Sequence, residues 1–249
     1  MNPAFHHAVN HGSAPETLSR ADADQPPAAP DYPISDYPGM DYPIADRLWS
    51  RLCDRQASPA LRRALSAALV LLADHELAAS TLAARAAASV RADPYAVVET
   101  GMGAVSGALH GGASLGAEAL LADVPRVVGE LLRRGEKVPG FGHFVYRAGD
   151  PRAVLLFDLV RRAAPKSGPL AVAEAVLAEV RRKSLPEPNI DFAIATLVQV
   201  AGMIRGSGET IFAVARTAGW IAHALEAYAG PGPLRPRAVY TGRPPVDGR

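Results

Sequence analysis

Thiols, aromatic rings and net charge are all in short supply in this chain, and each shortage closes off a class of protein. The 249 residues include one cysteine, Cys53, so there is no intramolecular disulfide framework and no second thiol for metal or redox pairing. Cys53 reads as a small buried hydrophobe in a reducing compartment. A formal net charge of +1 provides no global field to recruit nucleic acid or an acidic membrane surface, so neither partner is expected. Aromatics make up 6% while alanine abounds, which favours closely packed helices over sheets. The strongest apolar run, Ala64–Ala73, is too short to span a bilayer and meets Asp74-His75-Glu76 at once. The first residues, MNPAFHHAVNHG, lack a basic stretch followed by an apolar core, so no secretory signal and a cytoplasmic location are expected. There is no HExxH, no CxxC, no carboxylate cluster, no Walker loop and no GxGxxG. Bound metal, phosphoryl transfer and Rossmann-type nicotinamide binding are therefore not expected, nor is any resident cofactor.

Residues 1–45 form a proline-rich opening, with prolines at 3, 15, 26, 27, 30, 33, 38 and 43. Such a stretch buries too little apolar surface to offset its own ordering and reads as a disordered tail. Within it, DYPIS, DYPGM and DYPIA recur every five residues from Asp31 to Ala45, as low-complexity sequence or as a docking strip for a partner. From Ile44 onward the periodicity is helical. Leu48, Trp49 and Leu52 share one face, as do Leu61, Leu65, Ala68 and Leu72. Ser80–Val90 reads as a small-residue helix, and Asp93-Pro94 as N-cap and first turn of a helix over Tyr95–Ser106. Further helices are predicted over Ala113–Arg134, Ala153–Ala164, Ala171–Lys183, Phe192–Met203 and Glu209–Tyr228. Only Phe144–Arg147 and Ala238–Thr241 resemble strands. The predicted fold class is all-α.

Four segments carry groups that core packing does not call for. In Val138–Arg152, VPGFGHFVYRAGDPR, glycines let the backbone approach a ligand, His143 could polarise a carbonyl, and Arg147 and Arg152 could grip an anion with forked hydrogen bonds. In ALHGGA, His110 precedes a helix start, where the helix dipole disfavours imidazolium. A neutral N–H there could stabilise an enolate, or the ring could simply cap a turn. In PNIDF, Asp191 lies between apolar neighbours. It could be a base with a raised pKa, the N-cap of the following helix, or both, and the sequence by itself favours the cap. In IFAVARTAGWIAH, Arg216 shares a face with Phe212, Trp220 and His223, so it needs an anionic ligand or a buried salt bridge. His75 is a further ligand contact or a polar helix-end residue. Two histidines, a carboxylate and several arginines suit carbon–carbon bond chemistry on an anion.

These segments, in this order, resemble citrate synthases. The likeness runs from about Ala73 to Gly242 through ADHELAAST, GALHGGAS, VPGFGHFVYRAGDPR, PNIDF, IFAVARTAGWIAHALE and RPRAVYTG, the last beginning at Arg235. The resemblance implies an all-helical homodimer with a small domain over 109–196 and a large domain made of 46–108 and 197–249, closing over its substrates. It implies acetyl-CoA and oxaloacetate as substrates, citrate and CoA as products, and a place in the tricarboxylic acid cycle. By motif position His110 would bond the thioester carbonyl, Asp191 would remove a methyl proton, and His143 would polarise the oxaloacetate carbonyl. His75, Arg152 and Arg216 match oxaloacetate contacts, with Arg235 supplied across the dimer. Val138, Gly140, Phe141, Gly142 and Arg147 match the coenzyme A contacts. Family members are usually longer at the front, which leaves open a catalytically impaired ligand-binding subunit or a heteromer with a longer homologue. Acyl preference rests on pocket volume, which leaves a methylcitrate synthase open as well.

Overall fold

A computed structural model describes residues 44–122, 134, 136–237 and 242, all within one compact unit spanning 42–249. The proline-rich opening up to residue 43, the later part of the helix expected over Ala113–Arg134 and the strand expected over Ala238–Thr241 lie outside the described residues. The described elements are helices, and the one β feature among them is an isolated antiparallel bridge between Phe141 and Pro188.

The helices begin and end where local chemistry dictates. The first, α1 (Ile44–Leu52), buries Ala45, Leu48, Trp49 and Leu52 along one stripe. The second, α2 (Pro59–Leu72), starts with Pro59 in its first turn, and Ser58 Oγ caps it by accepting the Leu61 amide. Next, α3 (Ala79–Ser89) buries Ser80, Thr81, Ala84, Ala88 and Ser89, small residues that permit close approach. Asp93 caps α4 (Pro94–Val105) as its sequence predicts, accepting the amides of Tyr95 and Ala96. After α5 (Ala113–Ala122) come α6 (Pro151–Ala163), capped by Asp150, and α7 (Gly168–Arg182). They are followed by α8 (Ile190–Ala201) and the 23-residue α9 (Ser207–Ala229).

Helix α8 is the hub. Nine of its twelve residues are buried, and α2, α5, α6, α7 and α9 all pack on it. Helix α9 runs past it to reach α2 and the α3–α4 pair. At the α9–α4 crossing, Gly101 leaves room for the fully buried Trp220 ring, since a Cβ at 101 would come within 2.6 Å of it.

Two local expectations change. Phe144–Arg147 is not a strand, because the His143 ring intercepts the amides a ladder would use. Its Nδ1 accepts from Val145 at 3.0 Å and Tyr146 at 3.2 Å, and the Arg147 amide turns back to the Val145 carbonyl. Asp191 is not the N-cap of α8. Asn189 holds that place, its Oδ1 accepting the amides of Asp191 and Phe192, and Asp191 falls in the first turn.

Gly101→Ala should lower stability by about 1–3 kcal/mol through overpacking against Trp220, measured as a shift in the denaturation midpoint with unchanged helical content.

Candidate functional site

His110 sits in the turn between α4 and α5. Glycines 111 and 112 fold this turn tightly onto the end of α4, where a Cβ would lie 2.8 Å from the Val105 carbonyl and 3.0 Å from that of Gly107. Its Nε2 is 2.8 Å from Ser80 Oγ, and that oxygen also accepts the Trp220 indole N–H at 3.2 Å. Among the partners of Ser80 Oγ only Nε2 can accept its proton, an assignment that puts the imidazole proton on Nδ1. Burial lowers the His110 pKa, and the Arg216 charge lowers it further, so the ring is neutral near pH 7. The ring edge meets Phe212 with centroids 5.6 Å apart.

His143 has the opposite tautomer. Donors face both ring nitrogens, two backbone amides at Nδ1 (3.0 and 3.2 Å) and Arg152 Nη2 at Nε2 (3.4 Å); the two shorter bonds make Nδ1 the acceptor and put the proton on Nε2, at the expense of the longer Arg152 contact. Burial, then the Arg152 charge, lower its pKa against an opposing pull from Asp150. His75 packs edge-on against His143 (5.4 Å between centroids) and Tyr146 (5.5 Å). Its pKa is lowered by burial first, then by Arg152, His143 and Arg216. Three neutral imidazoles therefore border the same region.

Asp150 holds that region together. Its carboxylate accepts Arg152 Nε at 3.0 Å and Nη2 at 2.9 Å, and the same group takes the Ile190 amide at 3.0 Å. One buried side chain thus ties the His143–Arg152 loop to the first turn of α8. Burial alone would raise its pKa, but the bonds and charge of Arg152 outweigh this and hold it below the usual carboxylate range. The Arg152 guanidinium also lies 5.1 Å from the Tyr146 ring centre.

In the first turn of α8, the Asp191 Oδ1 is sealed from solvent and has no hydrogen-bond partner. Burial pushes its pKa up to about 7, with the Arg152 charge pulling down and Asp150 pushing up. Arg216 is 1% exposed. Its Nε donates to the Leu72 carbonyl at 2.7 Å and its guanidinium lies 4.9 Å from the Phe212 ring centre, yet Nη1 is sealed and unpartnered. No ion pair to Arg216 occurs among the described residues, so a buried salt bridge does not explain it. Burial lowers its pKa to about 10, which still leaves it a cation at neutral pH.

These groups lie within reach of one another's charges. The Arg152 charge acts on His75, His143, Asp191 and Arg216, and the Arg216 charge acts on His75 and His110. Beside them the Val138–Gly142 loop rests on α8. Gly140 has φ +82°, and a Cβ there would lie 2.8 Å from Phe192; Gly142 is also left-handed, and Phe141 tilts onto Phe192. A cavity of about 450 Å³ opens here, lined by Lys137, Val138, Phe141, Gly142, His143 and Pro186 among others. Two expected residues stand apart: Arg147 is exposed in the loop, and Arg235 is exposed beyond α9. Sequence reasoning missed Ser80, Asp150 and Asn189. Ser80 lay within ADHELAAST and Asp150 within DPR, but Ser80 meets His110 30 residues on, and Asp150 links its neighbour Arg152 to Ile190, 40 residues on.

The family model for the citrate synthase C-terminal domain matches residues 28–237. The chain belongs to the citrate synthase family. It is 38% identical to citrate synthase 2 of Bacillus subtilis over 226 residues, which is 86% of this chain and 58% of that protein. Among solved structures, citryl-CoA lyase from Hydrogenobacter thermophilus superposes with a TM-score of 0.73 at 28% identity, covering 84% of this chain and 87% of the lyase. Citrate synthase from Thermoplasma acidophilum, solved with carboxymethyl coenzyme A and oxaloacetate, gives a TM-score of 0.63 at 29% identity, covering 78% and 55%. The chain thus spans just over half the length of the citrate synthase from Bacillus subtilis.

A carboxyl group whose folded pKa exceeds its unfolded value stabilises the fold below the unfolded pKa, and that contribution is lost as pH rises through the folded one. For Asp191 the window runs from 3.8 to about 7, a difference of roughly 4 kcal/mol. Asp191→Asn should therefore raise the melting temperature at pH 8, with the gap closing towards pH 4.

Proposed function

We propose that these groups line one substrate site, which makes the carbon–carbon bond between the methyl carbon of acetyl-CoA and the oxo carbon of oxaloacetate, the citrate synthase reaction. The observation that carries the reading is that a buried Arg216 without an ion-pair partner among the described residues and an Asp191 with a sealed, unpartnered Oδ1 both lie within the field of Arg152, as do two neutral imidazoles, His75 and His143. Oxaloacetate is a dianion, and Arg152 and Arg216 would hold its carboxylates with His75 alongside. The Nε2–H of His143 would bond its keto oxygen. The thioester carbonyl would take the Nδ1–H of His110, and Asp191 would remove a methyl proton. A thioester methyl is a weak acid, so base and enolate stabiliser must act together. Attack on the polarised keto carbon forms citryl-CoA, whose hydrolysis gives citrate and CoA. No resident cofactor enters this scheme. The CoA portion would lie along Val138–Gly142, with Arg147 as a phosphate contact.

Residues 109–196 would close on 46–108 and 197–249 to exclude water. A homodimer would complete the site with Arg235 of a second copy. The α3–α4 pair favours such an assembly, since it presents Leu82, Tyr95 and Met102 to solvent, followed by Leu109. A cytoplasmic setting fits this chemistry, and among the described residues no helix is long and apolar enough to cross a membrane.

A second reading has its own observation. The chain covers 87% of a citryl-CoA lyase but 58% of the Bacillus subtilis citrate synthase. The same groups run backwards would cleave citryl-CoA to acetyl-CoA and oxaloacetate. Supplying citryl-CoA separates the two. Citrate with free CoA supports the synthase, acetyl-CoA with oxaloacetate supports the lyase, and unchanged citryl-CoA with folded dimer sinks both. Thiol release from propionyl-CoA instead of acetyl-CoA would point to methylcitrate synthesis, and activity appearing only on co-expression with a longer homologue would point to a subunit role.

Because Asp191 must be ionised to act as base, kcat/KM for condensation should fall about tenfold per pH unit below roughly pH 7 and level off above it. Asp191→Asn should lower kcat by on the order of 10³-fold or more, with binding of oxaloacetate retained.

A further inference from the structure

His223 has no part in the chemistry just proposed, yet it stands one residue removed from it. Helix α9 presents a single stripe to the chain leaving α2. Arg216 donates to the Leu72 carbonyl at 2.7 Å. Gly219 lets the backbone of Ala73 come so close that a Cβ would lie 2.2 Å from its oxygen. His223 reaches Asp74, with Nε2 at 3.2 Å from Oδ1. Residues 216, 219 and 223 lie on one helix face, and they grip Leu72, Ala73 and Asp74 in turn. The next residue is His75.

The tautomer of His223 follows from its other neighbour. Its Nδ1 lies 2.8 Å from Arg85 Nη1, and a guanidinium can only donate. Nδ1 therefore accepts, and the proton of the neutral ring sits on Nε2, aimed at Asp74. Arg85 reaches in from α3 and is itself held by Glu226 Oε2 at 2.6 Å. Arg85, Asp74 and Glu226 are the charged groups facing the ring. Asp74 is 53% exposed, so the hydrogen bond, not burial, fixes its carboxylate.

We propose that His223 is a positioning residue for His75: as the Nε2–H tautomer, locked by Arg85, it clamps Asp74 and so holds the His75 imidazole edge-on to His143 and Tyr146. This rests on the reading that His75 contacts the oxo-acid.

Two variants of similar polarity split the clamp. In His223→Gln the side-chain amide nitrogen reaches about as far as Nε2 and keeps the donor to Asp74. In His223→Asn the amide reaches only as far as Nδ1, keeping the acceptor for Arg85 and losing Asp74. Calorimetric binding of oxaloacetate should weaken about tenfold in H223N and under threefold in H223Q. The KM for oxaloacetate should follow the same order with kcat little changed, and both melting temperatures should stay near that of the parent. A merely structural role would lower both melting temperatures without separating the two variants in affinity, and that result overturns the proposal. So does equal binding by the parent and H223N, or an imidazole 15N spectrum placing the neutral His223 proton on Nδ1. A parent protein that binds no oxaloacetate overturns the functional reading and this one with it, so the two failures are told apart.

Discussion

A cation removed from water, with no carboxylate in contact among the described residues, is the constraint around which this molecule is arranged. Arg216 is buried, its Nη1 has no partner, and what offsets its desolvation is one carbonyl and the face of Phe212. Leaving a charge in that condition costs several kcal/mol or more, so folds retain it where a ligand completes the site. Asp191 is the complementary case. Its carboxyl escapes the same cost by binding a proton up to about pH 7, which is the condition a base for a weak carbon acid requires.

The remaining groups keep these two apart and aligned. Asp150 neutralises most of Arg152 within the loop and anchors the first turn of α8 with the same carboxylate. The imidazoles of His110 and His143 are given opposite tautomers by simple means: a serine hydroxyl donates to His110, and two backbone amides donate to His143. Each ring then has one N–H left for a ligand oxygen. Burial, together with the positive charges of Arg152 and Arg216, holds the rings neutral, so each offers a hydrogen-bond donor instead of a cation.

Much of the fold was legible from the chain alone. Ser58-Pro59 and Asp93-Pro94 mark helix starts through capping chemistry that spans three residues, and α1 and α2 follow from apolar spacing. Misreadings arose where a side chain competed with the backbone. The apparent strand after His143 lost its amides to the imidazole, and the cap of α8 went to Asn189 because that residue, two earlier than Asp191, meets the free amides. Displacing Asp191 from the cap leaves its oxygen free for chemistry.

The amino-acid order by itself determined the helical class, the boundaries of most helices and which residues could do chemistry, because periodicity and capping act within a few residues along the chain. Only the tertiary structure decided which of them meet. Ser80 reaches His110 across 30 residues, His223 reaches Asp74 across 149, and Arg216 is left without a carboxylate although Asp74 is not far away. Protonation state and tautomer depend on burial and on these distant partners, and neither is a property of any local stretch of sequence.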